Sequence, residues 1–452
     1  MRLIARFAQE KEDFFEIITV YDERIIKERL NKKTPTLISI AKYYPAAVWF
    51  ERKIRDDFGI KMLYSNDERP LVKHEYFPSA ISPMRKDFIK DFVIHEIGYS
   101  CENKQLNDGI NIGPTHPFHL ESSELQLFDK DKIILHFEMM PFYKYRGIEK
   151  MLEGLKLEEA REIVERISAS STIAYQIAFL DIELQSCKKT LPTILQKRHF
   201  FLLELERIIN HLTDLSMLCQ LVEFLDGATF FSKFIEEGRK SMKQLTGHRF
   251  GFSSIRVDSD GVESEEVYAF LFRLEKALLA FENWVEQRDQ ILEKTLLLGQ
   301  VTKKTVLDYG LVGIMARSGG IRLDQRNENP FYEKHAYYMN EEEAGDTFAR
   351  FNIRIAEIFT SIRIMKNLVS KNILPFFLGT ATDGEFYAYV ESSAGELMMY
   401  LALKDGLIER FFVRDPSFLN AQALPFSLKG SELSSLGLII KSIPLNISAI
   451  DL

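Results

Sequence analysis

Three apolar stripes stepping by fours and threes constrain this chain more than any other feature. Phe201, Leu205, Ile208, Leu212 and Leu215 form the first; Val267, Leu271, Leu274, Leu278, Phe281 and Val285 the second; Phe348, Phe351, Ile355, Ile358, Ile362 and Met365 the third. Such steps place every member on one face of an α-helix, and that face needs other helices to cover it. With the segment from Leu157 to Cys187 and a helix from Phe224 to Leu245, they predict a bundle of four or five long helices. Stripes that carry Phe in this pattern read as core, not as a cofactor site.

The flanks differ in character. Leu3–Phe7 and Phe14–Val20 are short β-type runs joined by a polar turn, and a helical stretch limited by Pro45 leads to Phe58 and a Gly59 stop. From about Phe386 the chain reads as strand-like and turn-rich to its end, and the polar stretch Arg322–Asp346 reads as a surface excursion between helices. The fold class is therefore α+β. A small N-terminal α/β domain, residues 1–105, precedes a larger domain, residues 106–452, built on the long-helix bundle with peripheral strands.

Charge and cysteine content narrow the function. With 66 acidic against 58 basic residues, a net charge of −8 does not suit a nucleic-acid surface. No apolar run reaches the ~18 residues that span a bilayer. The opening run is broken by Gln9-Glu10-Lys11-Glu12, unlike a secretory signal. A cytoplasmic protein is expected, one held at the inner face of the cell membrane by partners if it works there. Cys101, Cys187 and Cys219 are scattered, so neither a disulfide framework nor a cysteine-held zinc or iron–sulfur site is expected, and each reads as a small packing residue.

Single motifs say little alone. Gly113-Pro114-Thr115-His116-Pro117-Phe118-His119-Leu120-Glu121 packs two histidines and an acid beside a stiff turn; a loop aimed into a cavity and a surface turn both fit, and the turn is the commoner case. Tyr145-Arg146-Gly147-Ile148-Glu149-Lys150 reads as a β-turn entering a helix, or equally as a solvated ion pair of Arg146 and Glu149. The glycine-bearing breaks at Thr246–Phe252 and Asp308–Arg317 have neither nucleotide-loop spacing nor a phosphate-binding lysine.

Their order carries more. G-P-x-H-P, R-G-I-E-K, E-R-I-x-x-x-S (Glu165–Ser171), G-x-R-F, G-x-x-x-R-S-G-G-I, G-D-T-x-x-R, R-D-P-S-F-x-N-x-Q-A-L-P (Arg414–Pro425) and a tail S-I-x-x-x-I-S-x-x-D follow one another along the chain. This succession resembles the large subunit of membrane-bound, energy-converting (group 4) nickel–iron hydrogenases of the formate hydrogenlyase type, and its relative, the 49 kDa subunit of respiratory complex I. The first hundred residues resemble the 30 kDa subunit of complex I through E-R-x-x-x-D-x-F-G-I at Glu51–Ile60, with Lys53 standing where that family usually has an acid. The resemblance implies a hydrogenase-large-subunit-like domain at 106–452 and a 30 kDa-like domain at 1–105.

It also marks what has changed. The family's four thiolate positions read Ser168, Ser171, Asn446 and Ala449, and the arginine hung over the metal reads Ala394 in Glu391-Ser392-Ser393-Ala394-Gly395-Glu396. Hard hydroxyls, a neutral amide and a methyl do not suit nickel, so no metal site is expected, and the resemblance implies no tail beyond Leu452 to be cleaved. The quinone-contacting tyrosine of complex I corresponds to Ala169, and its histidine lies within one residue of His119.

Two readings follow. In one, the chain belongs to a membrane-associated complex I-like oxidoreductase and passes electrons from an iron–sulfur cluster in a partner small subunit to a small carrier such as a quinone. His119 or His116 then gives the proton, and Glu121, Arg166, Ser168, Ser171 and Asn446 line the space, with Arg166 and Asp415 as buried structural charges. In the other, it is a non-catalytic scaffold that joins the electron-transfer arm to ion-translocating membrane subunits. No cofactor is expected on the chain itself.

Overall fold

The computed structural model describes residues 1–74, 77, 81–88, 109–118, 121–257, 264–285, 289–335, 337–368 and 376–452. Three strands open the chain as an antiparallel meander, β1 (Leu3–Glu10), β2 (Phe14–Tyr21) and β3 (Ile25–Asn31). β1 and β2 are buried nearly throughout, because α1 (Ala47–Phe58) packs on this sheet and the C-terminal sheet also meets β1. Gly59, at φ 72°, ends α1 in the left-handed conformation that glycine adopts without steric cost. Around α1, β4 (Thr36–Ile38) and β5 (Lys61–Leu63) pair in parallel. The expected boundary near residue 105 lies outside the described residues, as does Cys101.

A second meander, β6 (Ile110–Ile112), β7 (Glu124–Lys130) and β8 (Ile133–Met140), was not legible in the sequence. The helices then begin with α2 (Ile148–Leu152) and α3 (Leu157–Val164). The segment from Leu157 to Cys187 holds two helices: it breaks at 165–171 and resumes as α4 (Thr172–Ser186). The first stripe emerges as α5 (Thr193–Leu221), the helix expected after it as α6 (Leu225–Thr246) and the second stripe as α7 (Glu265–Val285). Short helices α8 (Asp289–Thr295), α9 (Lys303–Tyr309), α10 (Ile314–Ser318) and α11 (Pro330–Glu333) lead to α12 (Thr347–Lys366), whose N-terminus is capped by the Asp346 carboxylate accepting from Ala349 N at 2.7 Å. Phe201, Leu205, Ile208 and Leu212 all lie in the main core beside Leu271, Leu274, Ile358 and Ile362.

A third antiparallel sheet, β9 (Gly384–Ser392), β10 (Gly395–Lys404) and β11 (Leu407–Arg414), follows as expected. Beyond it the expected strands are absent among the described residues: α13 (Pro416–Asn420), α14 (Leu424–Leu428), α15 (Leu436–Ser442) and α16 (Ile447–Asp451) fold back over the bundle. The third sheet is covered on both faces. Tyr400 and Phe412 join the N-terminal core, where Phe412 stacks on Phe7 at 4.1 Å, while Met399 and Leu401 face the helices. The stretch Arg322–Asp346 is a surface excursion only in part: Asp324 and Arg326 are buried by ion pairs, and Tyr332 by a hydrogen bond to Glu204, against α5, α12 and β9, which a linear reading cannot show.

Candidate functional site

The break at 165–171 is where the chain's conspicuous polar residues meet. The Ser168 carbonyl accepts from Ser171 N and from the Thr172 hydroxyl, which turns the backbone into α4 and buries both Ser168 and Ser171. The C-terminal residues arrive from the other side. The Asn446 side-chain amide donates to Ser168 Oγ and Ser170 Oγ, each at 2.6 Å, and its oxygen accepts from Ser448 Oγ at 2.6 Å. Ala449 is buried beside it. Of the four positions named from the sequence, Ser168 and Asn446 thus bond directly, with Ser171 in the same turn as Ser168 and Ala449 in the helix that Asn446 opens. The cluster is not sealed: Ser170, Asn446 and Ser448 are half-buried, and Ala169 is exposed.

Two residues that the sequence did not assign to this site hold the arrangement. Asn210, on α5, donates to the Ser170 carbonyl at 2.5 Å and to Ser393 Oγ at 2.8 Å, so one side chain ties the serine loop to the turn between β9 and β10. Arg146 donates to the carbonyls of Ile167 at 2.8 Å and Ser448 at 2.5 Å. Its reading as an ion-pair partner of Glu149 is corrected: Glu149 is fully buried and pairs with Arg410 at 2.7 Å and Lys53 at 3.4 Å. No sequence signal singles out Asn210, one of many polar residues on α5.

The other expected residues are placed as follows. Asp415 is buried; it caps α13 through Ser417 N at 2.8 Å and accepts from Tyr175 OH at 3.0 Å, and burial pushes its carboxyl up. Arg166 is not buried. Its side chain is 51% exposed, pairs with Glu165 at 2.7 Å and lies 5.0 Å over the Phe252 ring. It sits just past the end of α3 and turns outward, and the buried charge of this motif is Glu165, which accepts from Ser253 N. Glu121 pairs with Lys144 at 2.9 Å near the surface. His116 is buried within its own loop, where Nδ1 accepts from Phe118 N at 3.2 Å and Nε2 donates to Ser123 Oγ at 3.0 Å, and burial lowers its pKa. Those bonds define a neutral ring engaged at both nitrogens. His119 lies outside the described residues. Cys187 is half-buried with its thiol toward the Gly379 carbonyl, and Cys219 is a buried thiol pushed up to about 12.

One acid next to the cluster has no ion pair of hydrogen-bonding length to hold its charge. Glu206, one helical turn before Asn210, accepts from Ile173 N at 2.7 Å and Ala174 N at 3.3 Å at the start of α4, and burial pushes it up to about 8. Unfolded, a glutamate loses its proton near about 4.3. Between those values the folded state binds more proton, so this residue makes stability fall as pH rises through the window. Glu206→Gln keeps one carbonyl acceptor, for the shorter bond from Ile173 N, and abolishes the titration. Unfolding free energies from urea titration are expected to match wild type near the lower limit and exceed it above pH 8, by on the order of a few kcal/mol; parallel pH profiles would rule this out.

Among the described residues no helix is long and apolar enough to cross a membrane, and no group of three or more His, Cys, Asp or Glu could hold a metal ion. Comparison with known proteins gives the same picture as the motif order. Residues 229–375 and 378–452 match the family of the 49 kDa subunit of respiratory-chain NADH dehydrogenase, and residues 5–92 match that of its 30 kDa subunit. Formate hydrogenlyase subunit 5 of Escherichia coli is 26% identical over 447 residues, covering 92% of this chain and 77% of the relative. Hydrogenase-4 component G of the same organism is 25% identical, over 93% and 76%. An NADH-quinone oxidoreductase subunit of Geobacillus thermodenitrificans is 27% identical, over 76% and 98%.

Proposed function

We propose, for a chain whose residues 5–92 belong to the family of the 30 kDa subunit of respiratory-chain NADH dehydrogenase and whose residues 229–375 and 378–452 belong to that of its 49 kDa subunit, that it is the connecting subunit of a complex I-like, hydrogenase-related oxidoreductase. It holds an iron–sulfur partner against ion-translocating membrane subunits at the inner face of the membrane, and it carries no nickel–iron centre. The observation that carries this reading is the Asn446 amide, which donates to Ser168 and Ser170 at 2.6 Å across the ground where thiolates would grip a metal. An amide N–H aimed at two hydroxyls offers a metal no lone pair, and hydroxyls are poor ligands for nickel beside sulfur. The clasp keeps the serine loop and the C-terminal helices in register without an ion.

A second reading, a quinone-type carrier meeting the cluster, is favoured by its exposure. Ala169 is exposed and Ser170 and Asn446 are half-buried, so a docked iron–sulfur partner would enclose them. One experiment separates the two. The native complex is purified with wild-type chain and with Asn446→Ala, and nickel, partner recovery and quinone-linked turnover per assembled complex are measured. The clasp hydrogen bonds are worth about 1 kcal/mol each, so the connecting role predicts no nickel, several-fold lower partner recovery and unchanged turnover in what assembles. Lowered turnover with full assembly supports the carrier reading, and about one nickel per chain defeats both.

A further inference from the structure

Behind the serine cluster, four carboxylates and three guanidiniums share one buried network. Glu204, Asp324, Glu357 and Glu391 face Arg207, Arg317 and Arg326, all with at most 3% of their surface exposed. If every acid were ionised the network would carry one uncompensated negative charge in the interior, which is costly. His211 does not supply the missing charge. Its Nε2 donates to Glu357 at 2.9 Å, while buried Nδ1 has no partner, so a second ring proton would have no acceptor. The adjoining cluster, reached through Gln325, is balanced within itself: Arg2 and Arg414 stand with Glu396 and Asp415.

The acids are not equally paired. Asp324 takes Arg326 at 2.7 and 3.0 Å and Arg317 at 2.9 Å. Glu357 takes Arg317 at 2.7 Å and His211. Glu204 takes Arg207 at 3.1 Å, Ser361 at 2.6 Å and Tyr332 at 2.8 Å. Glu391 has one guanidinium contact, Arg317 at 2.8 Å, and one backbone donor, Gln325 N at 3.1 Å. It is also the one acid of the four that lines a cavity of about 380 Å³ between α4, α5 and β9, with His199, Arg326 and Tyr389 in the same wall.

We propose that Glu391 is a proton-binding site, taking up and returning one proton through this cavity and so restoring neutrality to the network. Burial and the neighbouring Asp324 push its carboxyl up to about 7, against the pull of Arg317, Arg326 and Arg207. The site is wired to the serine cluster. Arg207 donates to the carbonyls of Glu391 and Ser392, each at 2.7 Å, and the next residue, Ser393, accepts from the Asn210 amide that holds the Ser170 carbonyl. Proton loading therefore changes the charge directly behind the loop on which the cluster rests. The proposal stands independently of the choice between connector and carrier.

The test is a pH titration of the full chain by infrared spectroscopy, reading the C=O stretch of protonated carboxyl groups. Other buried acids, Glu206 and Asp451 among them, add bands of their own, so the component lost by substitution decides. A component fading with a midpoint of about 7 is expected in the wild type and missing from Glu391→Gln. Should that variant fail to fold, Glu391→Asp is expected to shift both the band and its midpoint. A wild type without the component, a folded Glu391→Gln that retains it, or a Glu391→Asp that leaves it unmoved would overturn the proposal.

Discussion

Arg317→Leu is expected to abolish stable folding. The guanidinium is fully buried and is shared by three carboxylates, Glu357 at 2.7 Å, Glu391 at 2.8 Å and Asp324 at 2.9 Å, from three different elements. Leucine supplies volume but no charge, leaving the carboxylates with only Arg207 and Arg326 between them and Glu204. Breaking one buried pair costs about 3–5 kcal/mol, and whole proteins are stable by only about 5–15 kcal/mol. Lysine would fare poorly too, because one compact ammonium does not reproduce the planar guanidinium fork. The measurement is soluble yield and the urea midpoint of purified chain; a midpoint unchanged from wild type would show that the network relaxes without its centre.

The second large effect is expected at Gly313. This residue opens α10 at φ 63° and presses on the turn between β9 and β10; a methyl carbon there would run into Ala394 O and Gly395 Cα. Both obstacles are backbone, so no side chain can swing away. The turn is further held by Ser392 Oγ, which donates to Gly395 O at 2.9 Å, and by Asn420 against Ala394 O at 3.4 Å. Gly313→Ala combines an unfavourable backbone region with a collision, and a loss of about 2–4 kcal/mol is expected. Because the displaced turn carries Ser393, the Asn210 hydrogen bonds should loosen with it. Thermal unfolding reads the first effect, and faster amide exchange at Ala169–Ser171 reads the second. Wild-type values on both would refute the account.

What the sequence disclosed follows from what is local. The stripes on α5, α7 and α12 are periodic within one helix, and Gly59 announces its own turn, so these elements were legible. Charges were not. Arg207 and Glu204 lie on α5 and Glu357 on α12 among the apolar stripes, and nothing nearby distinguishes a buried arginine from a solvated one. Glu204 and Glu357 both meet Arg326, in the stretch 322–346 that reads as surface because it is polar. Arg166 failed in the opposite sense: its motif suggested burial, yet Glu165 occupies the inner position. In the candidate site, Ser168, Ser171, Asn446 and Ala449 were found through motif order, whereas Asn210 and Arg146 bridge segments that the chain separates widely.

The N-terminal meander is not an appendage. Phe7 stacks on Phe412, Trp49 and Phe50 enclose Phe418, and Arg2 reaches Glu396 at 2.7 Å, so the first strands complete the core of the last sheet. Were these halves separate polypeptides, the same contacts would be an intermolecular equilibrium, sensitive to dilution and to the relative supply of two gene products. Joined in one chain, they meet at a local concentration of the order of millimolar. Stoichiometry is then one to one at any expression level, and neither half is left with an uncovered apolar face while it waits for the other.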